Sequence, residues 1–491
     1  MADRRPFSSA WPALLLVLVL FLAACTGSGE PSERPARAGD PVGEEADGGL
    51  AEELEEQSER TENRLEALEA AREAGTLGVI ERVDRDPAPG WAGERVVDRT
   101  ADDWEPAIAA DPNEPYVYIL HNRFGGEPAC AHNCPDPAMI LHVSADGGRT
   151  WRPDRYLCEC RRVQWQFDPL IEVVPDTGDV YAVWMNGFNI FFSKSSDHGQ
   201  TWTPQVPVYG KVAWGDKPNF ATSPDGQDVY VLFNGPTDGD VHAAVSHDAG
   251  ETWSQVRVTD GRRYYFAYGT AVLPDGRAVS TQISFTYSGP AAAAEGVVHV
   301  HVITSDDGGA TWKDVILDTL ELGSPCTSEL CYADFYDSGP ALAADEDGDL
   351  VIVYSGAATS GGPRRVFARS STDGGTTWSD REPLSPAGAN GAFAAAAGTG
   401  DDGVRVYFAD QRTGRWNVWY RSSSDLGGTW TPAVRISDAG SGTVYKDEDG
   451  FTEFYGDYGE IAVTSAGKTV AVWGEGPSYL GPGGVWYNRQ R

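Results

Sequence analysis

Six times the chain writes Ser-x-Asp-x-Gly-x-Thr-Trp: SADGGRTW at 144–151, SSDHGQTW at 195–202, SHDAGETW at 246–253, SDDGGATW at 305–312, STDGGTTW at 371–378 and SSDLGGTW at 423–430. The pattern describes a stapled hairpin turn. An Asp side chain accepts bonds from the backbone N–H groups of its own loop, and a Gly takes a positive φ. Ser and Thr hydroxyls tie the strand ends together, and the Trp offers a large aromatic face to bury between neighbouring sheets. Six copies of an eight-residue pattern bind the chain to a repetitive architecture.

A second repeat runs in register with the first. Each unit opens with a small-residue apolar strand, then a turn, then a β-rich strand: EPAIAADPNEPYVYILHN, DPLIEVVPDTGDVYAVWMN, KPNFATSPDGQDVYVLFN, GTAVLPDGRAVSTQIS, GPALAADEDGDLVIVYSG, GAFAAAAGTGDDGVRVYFAD and GEIAVTSAGKTVAVWGEG. Small residues suit the crowded innermost strand of a propeller. There are seven such units against six turns. The last unit ends at GVWYNRQR, where its turn and fourth strand are due, while WAGERVVD at 91–98 resembles the segments that follow the turns elsewhere, such as WTPAVRISD. The expected fold is therefore all-β. A single propeller of seven four-stranded blades, closed by the N-terminal strand, would give about 57 residues per blade.

The turns resemble the Asp-box, or bacterial neuraminidase repeat, of sialidases and related propellers. That resemblance implies that the box joins the third and fourth strands of each blade in a structural role. Asp146, Asp197, Asp248, Asp307, Asp373 and Asp425 are then scaffold. Sialidases have six blades, so a six-bladed sialidase-type propeller is the alternative.

With the boxes on one face, the starts of the inner strands and the loops between second and third strands share the opposite mouth, where a propeller normally holds its ligand. Candidate catalytic acids there are Glu105, Asp168, Asp216, Asp337, Glu453 and Asp457. Candidate ligand-binding residues are Trp104, Arg123, Lys217, Tyr268, Tyr336, Tyr455, Tyr458 and Arg412. Carboxylates mixed with aromatics suit sugars, because rings stack on C–H faces and acids bind hydroxyls. Two carboxyls across a glycosidic bond suffice for hydrolysis, and crowding raises the pKa of one of them. An Asp or Glu beside Pro or Gly at the start of a strand also serves as a plain turn residue. Sialidases grip a carboxylate-bearing sugar with three arginines, the first in an Arg-Ile-Pro motif. Here that place reads Trp104-Glu105-Pro106, and no arginine triad can be matched residue by residue. Two functions follow as expectations. One is a propeller that recognises and hydrolyses neutral or cationic glycans. The other is a non-catalytic propeller that binds glycan, peptide or a protein partner in the envelope. No cofactor is expected, with calcium on the mouth acids as a weaker alternative and no EF-hand-type loop to hold it.

The N-terminus reads as an address. Arg4 and Arg5 precede an apolar run from Trp11 to Leu22, too short to span a membrane and followed by Leu22-Ala23-Ala24-Cys25. This ending resembles a bacterial lipobox, so residues 1–24 are expected to be a lipoprotein signal peptide and Cys25 the lipid-bearing residue. The expected location is outside the cytoplasm, anchored to the bacterial membrane. Six further cysteines fit an oxidising compartment. Cys326 and Cys331 bracket a short loop and are expected to pair. Cys130, Cys134, Cys158 and Cys160 would make two more bridges, with a zinc site including His132 as the alternative. Residues 25–90 form an acidic linker, with eighteen Asp or Glu against seven Arg in 26–90, and 49–74 are good helix formers with a thin stripe of Leu54, Leu65 and Leu68. A solvated or loosely associating tether helix is expected before the propeller at 91–491. The net charge of -35 opposes binding to nucleic-acid phosphates.

Overall fold

The box turns form the hydrogen bonds their sequence requires. In the fourth box, Thr311 donates both its N–H and its hydroxyl to Asp307, at 2.9 and 2.6 Å, and Ser305 donates to the same carboxylate. The other five repeat this staple with distances of 2.7–2.9 Å. The box tryptophans are half-buried rather than fully enclosed between sheets. Trp253 packs edge-on against Phe192 of the preceding sheet and donates its indole N–H to the Gly250 carbonyl at 3.0 Å.

The computed structural model describes residues 45–77, 87–98, 100–125, 135–157, 165–213, 215–235, 239–259, 263–288, 293–322, 339–399, 403–414, 416–437, 446–447, 450–451, 458–475 and 482–491. All belong to the unit Glu44–Arg491. Meanders of four antiparallel strands follow one another, the first being Asp102–Ala110, Val117–Phe124, Ala138–Ser144 and Arg155–Tyr156. The first strands of the later meanders are Gln166–Val173, Asp216–Thr222, Tyr264–Val272, Ala341–Ala344, Gly391–Thr399 and Gly459–Val463. Each of these lies against the first strand of the next meander, and Gly459–Val463 lies against Asp102–Ala110. The sheet that begins with Gly459–Val463 takes its fourth strand from the other end of the chain. Arg95 pairs opposite Tyr487 and Val96 opposite Trp486, and Trp91 bridges Gln490.

The core is laid between sheets, as Tyr230, Leu232 and Ala243 of one meander close on Tyr265, Ala267 and Ile303 of the next. Burial of this kind stabilises by about 25 cal/mol per Å². Small residues on the first strands let the sheets converge: Ala107, Ala109, Ala343 and Ala395 are all buried.

The segment before the first sheet differs from the expected tether. Glu45–Ala74 is one helix, and its second half docks on the first sheet. Arg64 is 1% exposed and makes a two-pronged ion pair with Asp102, at 2.7 and 3.1 Å. Its guanidinium lies over Trp104, 3.2 Å from the ring centroid. Leu65 packs against the cluster containing Trp104 and Phe124, and Leu68 is buried against Gly125. Gly125 has φ +81°, and a Cβ there would stand 2.4 Å from Leu68. The apolar stripe alone is thin, and it is Arg64 that converts this helix into a docked one. Cation–π contact with a desolvated guanidinium is worth about 2 kcal/mol. The side chain of Leu54 lies outside the described residues.

Candidate functional site

At the mouth, the first strands of three consecutive meanders carry the same irregularity. Glu105, Asp168 and Lys217 have φ of 46°, 53° and 48°, and each precedes a proline. The strand register shifts there in all three sheets. A left-handed non-glycine residue costs on the order of 1–3 kcal/mol and persists only where its surroundings hold it. Here each residue helps to hold the next. The Glu105 carboxylate accepts the Asp168 N–H at 3.0 Å and the Asn122 amide at 2.6 Å. The Asp168 carboxylate in turn accepts the Lys217 N–H at 3.1 Å, and Asp216 accepts the same N–H at 2.9 Å.

The relay ends in a three-residue constellation. The Tyr458 hydroxyl donates a short hydrogen bond to Asp168 and accepts one from Lys217 Nζ at 2.9 Å. Lys217 Nζ also lies 4.5 Å from the Tyr458 ring centroid and 4.0 Å from Asp168. Lys217, Tyr458 and Tyr268 line a cavity of about 540 Å³ that runs between the first strands, whereas Glu105 and Asp168 are buried behind it. The volume is that of a small-molecule site.

Other mouth candidates are held elsewhere. Arg123 is 1% exposed and locked by Asp103 at 2.6 and 3.0 Å, Asp154 at 2.6 Å and Asp98 at 3.1 Å. It does not line the cavity. Trp104 is covered by Arg64, and Arg412 is paired with Asp410 and stacked 3.9 Å over Trp419. Asp337, Glu453, Asp457, Tyr336 and Tyr455 lie outside the described residues, as do Cys25, Cys130, Cys134, Cys158, Cys160, Cys326 and Cys331.

Two cavity residues were not anticipated. Glu172 and Glu460 line the same cavity as Lys217, each keeping a face on it and otherwise enclosed. Glu460 accepts the Ile108 N–H of the adjacent sheet at 2.8 Å. Burial pushes its carboxyl up to about 8 against the opposing pull of that N–H. Burial likewise pushes Glu172 up to about 8, with the Glu460 charge adding to the rise and a hydrogen bond from the Thr222 backbone opposing it. The signal was present in the sequence: a lone Glu in DPLIEVVP and another in GEIAV, inside strands that are otherwise apolar. Glu172 lies near the end of its strand, and Glu460 two residues beyond Tyr458.

Residues 272–468 match the family model of the BNR repeat-like domain. Over that span the boxes match as BNR-type repeats. The match takes in the last three boxes, while the first three and the strands carrying Glu105, Asp168 and Lys217 precede it. No curated protein matches the chain. Among solved structures it is similar to a Hadza microbial sialidase at 16% identity, covering 80% of this chain and 66% of that one, with a TM-score of 0.41. A leech intramolecular trans-sialidase is similar at 15% identity, with coverages of 76% and 64% and a TM-score of 0.40. An ulvan lyase, described as a new family of polysaccharide lyase, is similar at 12% identity, with coverages of 80% and 95% and a TM-score of 0.48. The chain spans just under two thirds of the length of the first two. At such scores no residue role passes from them to this chain.

Proposed function

We propose that this chain is a glycan-recognising propeller whose ligand enters the central cavity past Lys217, Tyr458 and Tyr268. In this reading the meanders form seven blades, and Arg95–Val96 closes the ring. The observation that carries it is the placement of the Asp168–Tyr458–Lys217 constellation at the mouth of a cavity of about 540 Å³. Three strained residues hold that constellation, and strain of this kind gathers at ligand sites. A tyrosine face with a polar rim suits a sugar ring, which has apolar C–H faces and hydroxyl edges.

Binding fits the mouth better than hydrolysis, because the acids placed there among the described residues are already engaged. Asp168 is occupied by Tyr458 and the Lys217 N–H, and Asp103 by Arg123. One observation favours hydrolysis as a second reading. Glu172 and Glu460, pushed up to about 8, hold their protons at neutral pH as a general acid must. The envelope setting is part of the same proposal: a signal peptide over 1–24, a lipid on Cys25, disulfides among the remaining cysteines, and an exported, membrane-anchored protein. A non-catalytic propeller that binds a protein or peptide of the envelope is the alternative.

The test is a screen of the purified chain against cell-wall and neutral glycans, scored for both retention and cleavage. Tyr458→Phe and Lys217→Met are expected to weaken retention about tenfold. Retention of no glycan by the parent chain would remove the reading in favour of the protein-binding alternative.

A further inference from the structure

Buried carboxyls in proteins are as a rule paired with a cation, because an unpaired buried charge is costly. Glu172 and Glu460 break this rule among the described residues. Each has a backbone N–H as its partner, and among the described residues no lysine, arginine or histidine lies within ion-pair distance of either. The charge that acts on Glu172 is that of Glu460, which is of the same sign. Lys217 is the one cationic side chain among the described residues that line the cavity, and it is committed to Tyr458 and Asp168 at the mouth. No arginine appears in that lining. Further in, the walls are small and apolar, including Ala394, Ala396 and Ala462, so space is left around the two carboxyls.

We infer that the cavity takes a glycan bearing a protonated amine, whose ammonium group supplies the cation that Glu172 and Glu460 lack. The inference rests on the reading of the cavity as a glycan site and narrows its ligand class. A sugar carboxylate would meet two acids and no free guanidinium, whereas an ammonium would meet two acceptors beside tyrosine faces. The formal charge of -35 also concentrates cations around the molecule. At neutral pH the empty site holds protons on both carboxyls. Below neutral pH the sugar amine arrives already protonated, one carboxyl ionises against it, and that carboxyl's proton leaves to solvent.

Titration calorimetry of the full chain at about pH 5.5, where the sugar amine carries its proton and both carboxyls still hold theirs, in two buffers of different ionisation enthalpy, reads both affinity and proton release. The ligands are a glucosamine trisaccharide, its N-acetylated counterpart and a uronate oligosaccharide. The free-amine trisaccharide is expected to bind at least about tenfold more tightly than the other two and to release about one proton per site. Glu460→Gln and Glu172→Gln, checked for folding by thermal melting, should each lose that preference and the proton release. Equal binding of the N-acetylated or uronate ligand overturns the inference while leaving glycan recognition standing, as does tight amine binding without proton release. Calcium chloride alone binding in a Glu460-dependent manner also overturns it, by making the missing cation a metal. Failure of every saccharide to bind removes the glycan reading together with it.

Discussion

Glu460→Gln keeps the length and planar shape of the side chain and an oxygen that can accept the Ile108 N–H, while removing the titrating proton. In the folded protein the Glu460 carboxyl stands at about 8, against an ordinary value of 4.5 in the unfolded chain. A folded value above the unfolded one means the native state binds the proton more tightly. The stability this contributes is fully present below pH 4.5 and is lost as pH rises towards 8. At about 1.36 kcal/mol per pH unit, the full gap corresponds to about 5 kcal/mol. The side chain keeps a face on a cavity that admits water, so about half of that, on the order of 2–3 kcal/mol, is the working expectation. Urea denaturation of parent and variant at intervals from pH 5 to 9 measures it. The parent should lose stability steadily across this range, and the variant should lose on the order of 2–3 kcal/mol less. Glu172 should also titrate lower in the variant, because the neighbouring charge is gone. Two curves that run parallel within about 0.5 kcal/mol, the usual margin of additivity, would refute the account of Glu460 as a buried, proton-holding carboxyl.

Arg64→Ala leaves the Asp102 carboxylate buried without its guanidinium, and should destabilise the docked helix by about 3–5 kcal/mol. Rapid amide exchange across the helix, with the sheets still protected, is the expected signature. Gly125→Ala forces a Cβ at positive φ to within 2.4 Å of Leu68 and should cost about 1–3 kcal/mol in urea denaturation. The box carboxylates respond to acid in the opposite sense to Glu460. Hydrogen bonds from the Thr377 hydroxyl and N–H hold Asp373 near 2, below its ordinary 3.8. Its contribution is therefore present above 3.8 and lost as pH falls towards 2, so acid unfolding should set in at higher pH for Asp373→Ala, followed by circular dichroism.

The scaffold was legible because its information is local and repeated. A Ser-x-Asp-x-Gly-x-Thr-Trp turn closes its own hydrogen bonds within eight residues, so six copies foretell six staples. The pairing of Arg95–Val96 with the chain's last strand was readable for a similar reason, since WAGERVVD resembles the segments that follow the boxes. The site was legible only in part. Asp168, Lys217 and Tyr458 were singled out from their positions at strand starts, but their mutual bonds span 241 and 290 residues, and no local pattern encodes these. Arg123 looked like a ligand-binding cation because a sequence does not display the three carboxylates that fold around it. Arg64 hid for the converse reason. In an acidic, helix-forming stretch it reads as one more solvated charge, and only the facing Asp102 and Trp104 give it a place.

The relay from Asn122 through Glu105, Asp168 and Lys217 to Tyr458 also has a consequence in time. Its members come from both ends of the chain, and Glu460 reaches back 352 residues to the Ile108 N–H. A ribosome that has delivered the first three sheets has made Glu105, Asp168 and Lys217 but not the tyrosine that joins them. The constellation therefore stays incomplete until the final sheet arrives, and a chain broken off early holds Asp168 and Lys217 without the hydroxyl that joins them.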